Sequence, residues 1–316
     1  MIYLSEQRTW TIGDIIRRIR EEQGIALEQL ARGLCSVATL SRIEAGDREM
    51  DLLLASRVFQ RLGYSVDKYE FYASAEELEQ WEQRQKMRRM ALTGETEALS
   101  KNLEQYQGKW KKEIEKNQMQ KQFTDYTQGI LLLNEEKFSR AVELLEKSVS
   151  CTVPNWKKEN DWTLMGDIEI EILEKIGDAY EQMGDKSQSS MVRGLLIQNI
   201  GVAKTRMKTY LRQYARLLCK NAEKLLEEKG AERTMKIVDE VLQIMSEEKN
   251  ICSWPELLEL KARCMEKMYQ VGRVEMQTVL KCWQKAYYIS RLFEKWKKAE
   301  EIYKHLEDEY QWDCII

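Results

Sequence analysis

Two prolines in 316 residues, Pro154 and Pro255, constrain this chain more than any other feature. Proline is the strongest breaker of both helix and sheet, and the residues that fill its absence are Leu, Glu, Lys, Gln and Ala, all good helix formers. No run of alternating β-branched residues is long enough to argue for a strand. With 43% hydrophobic and 33% charged residues the chain has the composition of a globular protein. At this length it divides into more than one domain, and the expected fold class is all-α.

Several functional classes are disfavoured at once. No apolar stretch reaches the length of a membrane span, and MIYLSEQRTW lacks the charged-then-apolar pattern of a signal peptide. The seven cysteines, at 35, 151, 219, 252, 264, 282 and 314, form no CxxC pair. Neither a zinc site nor a disulfide framework is expected, and the simpler reading is small buried residues in a reducing cytosol. The single histidine, His305, excludes His-based triads and HExxH metal sites. There is no Walker loop and no GxGxxG. Glu135-Glu136 and Glu247-Glu248 read as charges at helix ends, and the tail EDEYQWDCII has too few spaced oxygens to hold calcium. No catalysis, cofactor or metal is expected.

The N-terminal 66 residues carry the most specific pattern. Ile12, Ile15, Ile16 and Ile19 form the apolar face of a first helix over 12–23, with Gly24 as a left-handed cap. A second helix runs from about Leu27 to Leu34, burying Leu27, Leu30, Ala31 and Leu34. The small Ala31 permits a steep helix crossing. Ser36 caps a third helix whose Leu40 and Ile43 face inward and which Gly46 ends. Asp51 caps a fourth, closed by Gly63. Through Val66 there are nine arginines, nine acids and no lysine. DNA affinity would therefore depend on charge layout, with guanidinium forks suited to phosphate and guanine.

These residues, LARGLCSVATLSRIEAG above all, resemble the phage-repressor and Xre class of helix-turn-helix domains over residues 12–66. The resemblance implies a structural ion pair between Arg20 and the Glu44 of the IExG motif. It also implies a recognition helix that presents Ser36, Val37, Ala38, Thr39 and Arg42 to base edges, with Arg17, Arg18 and Arg48 on phosphates. For any one arginine the alternative is a solvated surface charge. Ala26-Leu27 replaces the Ser/Thr-Gln pair common at the start of the second helix, so one backbone contact to DNA is missing.

After Tyr69 comes a train of amphipathic helices. Ala75–Leu92, with a sparse stripe of Leu78, Trp81, Met87 and Met90, reads as a linker helix that docks loosely or pairs with a partner chain. IGDAYEQMGDKSQSS, from residue 176, resembles a tetratricopeptide repeat. NEEKFSRAVELLEKSV is an earlier copy, and weaker copies turn at Gly230 and Gly272. The turns at 136, 184, 230 and 272 are separated by 48, 46 and 42 residues, and EKWKKAEEIY echoes Phe138 and Ala141 with Trp296 and Ala299. The expected division is a five-helix-type helix-turn-helix domain over 1–67, linker helices over 68–115, and a degenerate tetratricopeptide-repeat superhelix over 116–316.

Together these segments resemble the Rap–Rgg–NprR–PlcR–PrgX superfamily, and the shortened spacing around Cys35 resembles its PlcR-like branch. The resemblance implies a cytoplasmic, homodimeric quorum-sensing regulator that binds double-stranded DNA at an inverted repeat and a short signalling peptide. In the repeat frame the inward positions are Thr127, Lys175, Asn221, Arg263 and Lys285, a basic set that favours an acidic peptide or a free carboxylate. Each is equally open to being an ordinary surface residue. The competing reading is a Rap-like adaptor that grips another protein and whose helix-turn-helix is vestigial. The segment 283–296 is open to being a dimer seam, though core packing explains it more simply.

Overall fold

The computed structural model describes residues 11–64, 73–157, 163–202, 204–251 and 253–312. Among the described residues every regular element is a helix. The chain divides into two compact units, Met1–Asn199 and Ile200–Ile316. The expected repeat region 116–316 straddles that division.

The first unit opens with α1 (Ile12–Glu22), α2 (Leu27–Ala31), α3 (Val37–Glu44) and α4 (Leu52–Leu62). Four helices thus occupy the described part of the domain expected to have five. Their ends follow local chemistry. Thr11 and Asp14 form a capping box at α1, while Ser36 and Asp51 accept from the backbone N–H of Thr39 and Leu54. The second helix stops at Ala31, three residues earlier than the apolar pattern suggests, because Gly33 turns left-handed at φ +72°. The core of the four helices is Ile16, Ile19, Leu30, Ala31, Leu40, Ile43, Leu54, Val58, Phe59 and Leu62. It continues without a break into Met119 of the next helices and Leu164 of the segment before the helix that opens at Asp167.

Next come α5 (Ala75–Thr93), α6 (Thr96–Lys109) and α7 (Lys111–Lys116), then two hairpins, α8 (Gln118–Asn134) with α9 (Phe138–Ser150) and α10 (Asp167–Gln182) with α11 (Lys186–Ile200). The hairpins turn at Glu136 (φ 59°) and Gly184 (φ +79°). Gly129 is required by packing, since a Cβ there would lie 2.5 Å from the buried Leu145 side chain. Gly177 is not, its nearest neighbour being at an ordinary 3.7 Å.

The linker helix α5 departs from the loose docking expected of it. Leu78 is exposed, but Met87 is buried and the helix is held by polar side chains. Arg84 donates to the Tyr106 hydroxyl at 3.1 Å and to Gln120 at 3.2 Å, Trp110 donates to Gln83 at 2.9 Å, and Arg88 pairs with Glu171.

The second unit contains α12 (Lys204–Thr209), α13 (Leu211–Lys220), α14 (Ala222–Glu247), α15 (Trp254–Gln270), α16 (Met276–Leu292) and α17 (Trp296–Tyr310). Within α14 the backbone breaks at Gly230 (φ 76°), and Gly272 (φ +72°) turns α15 into α16. All four turn positions aligned in the sequence are therefore left-handed turns. A further corner at Glu294 (φ 56°) leads through Lys295 into Trp296, as Glu136 and Lys137 lead into Phe138. Ala299 is buried like Ala141, while Trp296 is exposed. A column of side chains joins α15 to α17: Glu256 to Lys295, Glu259 to Lys298, and Glu266 to His305 at 2.9 Å. All three pairs are 39 residues apart, so α15 and α17 run parallel as successive equivalents of one repeat.

Candidate nucleic-acid interface

Helix α3 is held against α1 and α2 by geometry that leaves its N-terminal face outward. Gly13 in α1 lies so close to α3 that a Cβ would fall 1.9 Å from the Ile43 carbonyl oxygen. Arg20 and Glu44 close the same contact with a bidentate pair, Nε to Oε1 at 2.7 Å and Nη2 to Oε2 at 2.8 Å. Arg20 Nη1 also donates to the Ile25 carbonyl at 3.1 Å. The carboxylate is 7% exposed, so the pair mainly fixes α1 against α3.

On the outer face Ser36, Ala38 and Arg42 are exposed, as is Val37 at 44%, large for an aliphatic side chain at the start of a helix. Arg42 has no hydrogen-bond or ion-pair partner among the described residues. Thr39 is half-buried, and its hydroxyl shares a 2.9 Å hydrogen bond with Ser36 and accepts from Arg48 Nη1 at 3.4 Å. Arg48, from the loop after α3, therefore lies beside the start of the recognition helix. Arg17 and Arg18 are exposed on α1 but engaged by Glu21 and Glu22 at 3.0 and 2.7 Å, so a phosphate must compete with those carboxylates.

Two of the nine arginines are removed from any DNA-facing set. Arg57 and Arg61, one turn apart on α4, are 6% and 1% exposed. Arg61 donates to the carbonyls of Leu30 at 3.1 Å and Thr152 at 3.5 Å, bracing the end of α2 against the end of α9. Gly33 comes so near that region that a Cβ would lie 1.9 Å from the Thr152 oxygen. The helix-turn-helix is thus seated directly on the first hairpin. One sequence signal for this burial was the interleaving of Arg57 and Arg61 with Leu54, Val58 and Leu62 on the apolar face of α4. Nothing in the sequence marked the backbone approaches at Gly13 and Gly33.

Below Arg57 and Arg61 lies Glu169, 1% exposed. Its oxygens accept from the Thr152 hydroxyl at 2.7 Å, the Gln122 amide at 3.3 Å and the Gly166 N–H at 2.8 Å. Burial pushes the carboxyl up, but the charges of Arg57 and Arg61 and these donors outweigh it and hold it below the ordinary glutamate value.

The five candidate peptide anchors fall into two groups. Thr127 and Lys175 belong to the first unit. Thr127 is buried and its hydroxyl donates to the Phe123 carbonyl of its own helix at 2.8 Å. Lys175 is half-buried. In the second unit, Asn221 is buried at the break between α13 and α14 and not within an inner helix. Arg263 is half-buried on α15 and Lys285 exposed on α16. No group of three or more His, Cys, Asp or Glu among the described residues is placed to hold a metal, and no described helix is long and apolar enough to cross a membrane.

Comparison with curated proteins returns no match. Among solved structures, the chain is similar to Bacillus thuringiensis PlcR in complex with the peptide PapR7 and DNA, at 13% identity over 92% of this chain and 98% of that one, with a TM-score of 0.42. It is also similar to the Streptococcus dysgalactiae SHP pheromone receptor Rgg2, at 14% identity over 95% and 100% of the two chains and a TM-score of 0.40. A third similarity is to the apo competence regulator ComR of Streptococcus vestibularis, at 15% identity over 95% and 98%, with a TM-score of 0.39. A family model described as helix-turn-helix, HTH_3, matches residues 16–69. That segment overlaps the ion-paired four-helix arrangement of residues 11–64, and the N-terminal part of the chain is a helix-turn-helix domain.

Proposed function

We propose that this chain is a sequence-specific, DNA-binding transcription regulator whose helical repeats bind a short signalling peptide and which acts in the cytoplasm as a homodimer. The observation that carries the DNA reading is the outer face of α3: Ser36, Val37, Ala38 and a partner-free Arg42 are solvent-facing on a helix whose orientation Gly13 and the Arg20–Glu44 pair fix. A helix so held enters the major groove by its N-terminal end. Arg42 suits guanine or phosphate there, and Val37 and Ala38 suit thymine methyls. Arg48, beside Thr39, serves a neighbouring phosphate. Two such heads related by a two-fold axis read an inverted repeat.

Lys175, Arg263 and Lys285 are at least partly exposed, and each would offer a cation to an acidic side chain or a terminal carboxylate. The test is selection of the purified full chain against random duplex DNA at low and moderate salt, with and without a pool of short peptides. Enrichment of an inverted repeat that Arg42→Ala abolishes supports the reading. Enrichment unchanged by any peptide removes the sensor half. A folded protein that enriches nothing in either condition refutes the DNA reading and leaves a protein-binding adaptor.

A further inference from the structure

Where α4, α5, α8 and α10 meet in the first unit there is a cavity of about 40 Å³, lined by Ser56, Arg57, Trp81, Arg84, Gln85 and Arg88 among others. Such a volume takes roughly three water molecules. It is unusual for its donors. Three arginines line it, and the charges of Arg84 and Arg88 lie near enough to Arg57 to repel it. Arg84 spends Nη1 on Tyr106 and Gln120, and Arg88 spends Nη2 on Glu171.

Arg57 makes no hydrogen bond and no ion pair among the described residues, although it is 94% buried (6% exposed) and its Nε is shut off from solvent. The nearby Glu169 and Asp167 attract it, but neither accepts a hydrogen bond from it; the Glu169 oxygens accept instead from Thr152, Gln122 and Gly166. Burial lowers the guanidinium's pKa from its ordinary value; the charges of Glu169 and Asp167 oppose that shift, and the like charges of Arg88 and Arg84 add to it. A buried cation with unmet donors is among the costlier arrangements a fold can keep, and it marks a missing acceptor.

We propose that this cavity binds a small oxyanion, the phosphate, sulfate or carboxylate group of a free ion or of a larger molecule's end, gripped by Arg57 together with Arg84 and Arg88. Oxyanions match the planar forks of guanidinium groups in both geometry and charge, whereas water supplies acceptors without neutralising like charges. The site is bounded by a helix of the helix-turn-helix, the linker helix and both hairpins of the unit. Its occupant therefore stabilises their assembly by mass action.

The test uses the full chain in Tris chloride at constant ionic strength, titrated with inorganic phosphate, sulfate or acetate by calorimetry and by thermal unfolding. The expected result is one saturable site per chain for at least one of these ions, with Tm rising by about 5–10 °C at a hundred times Kd. Acetate binding alone identifies a carboxylate site, and phosphate or sulfate binding a tetrahedral one. Arg57→Met removes both the heat and the Tm rise, and without the ion it melts no lower than the parent. Should that variant fail to fold, Arg88→Gln, at a less buried position, must weaken binding at least tenfold. A folded parent that binds none of the three ions, or binding unchanged in Arg57→Met, overturns the proposal and leaves a hydrated arginine cluster.

Discussion

Gly33→Ala tests how the helix-turn-helix is joined to the repeats, and Gly24→Ala is its internal control. Both glycines are left-handed, at φ +72° and +66°. Alanine in that region costs about 1–2 kcal/mol at either site. The surroundings differ. Around Gly24 there is nothing within 4 Å of the added Cβ, whereas at Gly33 the Cβ would lie 1.9 Å from the Thr152 carbonyl oxygen. Clearing even the 3.0 Å limit requires that backbone to retreat by 3.0 − 1.9 = 1.1 Å. The retreat also disturbs the Arg61 contact to the same oxygen. Overpacking of this kind adds about 1–3 kcal/mol. The expected losses are therefore about 2–5 kcal/mol for Gly33→Ala against about 1–2 for Gly24→Ala. Urea unfolding of the two variants measures the difference, and hydrogen exchange should show faster opening at the end of α9 in Gly33→Ala alone. Equal losses, with unchanged exchange, would refute the close seat.

Arg20→Ala strips the partner from a carboxylate that is 7% exposed and should destabilise the domain by about 3 kcal/mol in urea unfolding, while Arg20→Met combined with Glu44→Leu recovers most of that loss. Glu169 has a folded-state pKa below its ordinary value of 4.5, so its contribution is present above 4.5 and disappears as pH falls through the lower folded value. Thermal melts between pH 6 and 3 should therefore fall more steeply for the parent than for Glu169→Gln, and parallel slopes would contradict the assignment. Gly129→Ala should destabilise because Leu145 is fully buried behind it, and Gly177→Ala should be neutral or slightly stabilising through helix propensity. A reversed order in Tm would show that the α8–α9 contact is looser than described.

Whatever is periodic or local in this chain was legible from its residues. The left-handed turns at 136, 184, 230 and 272 coincide with breaks in an apolar period of 3.6, and the caps Ser36 and Asp51 act on the next turn of chain. The ends of α1 and α4 follow for the same reason. What escaped was non-local. Arg57 and Arg61 count as basic residues in any tally, yet their environment depends on Glu169 and Thr152 more than ninety positions away. The room that Gly33 leaves for the Thr152 carbonyl is likewise set by a contact across the structure. A repeat frame gives approximate register only. A slip of one residue in a helix rotates a side chain by about 100°, enough to bury Thr127.

The polar docking of α5 has a mechanical consequence. Apolar burial is non-directional, so a helix attached by a greasy stripe can slide or roll by small amounts at little cost. Hydrogen bonds weaken steeply when misaligned. Arg84 to Tyr106 and Gln120, Gln83 to Trp110, Gln80 to Gln120 and Arg88 to Glu171 together pin α5 in both rotation and translation. The segment behaves as a keyed shaft and not as a tether. A twist applied at either end is transmitted along its length, and the torque needed to free it must break several bonds together.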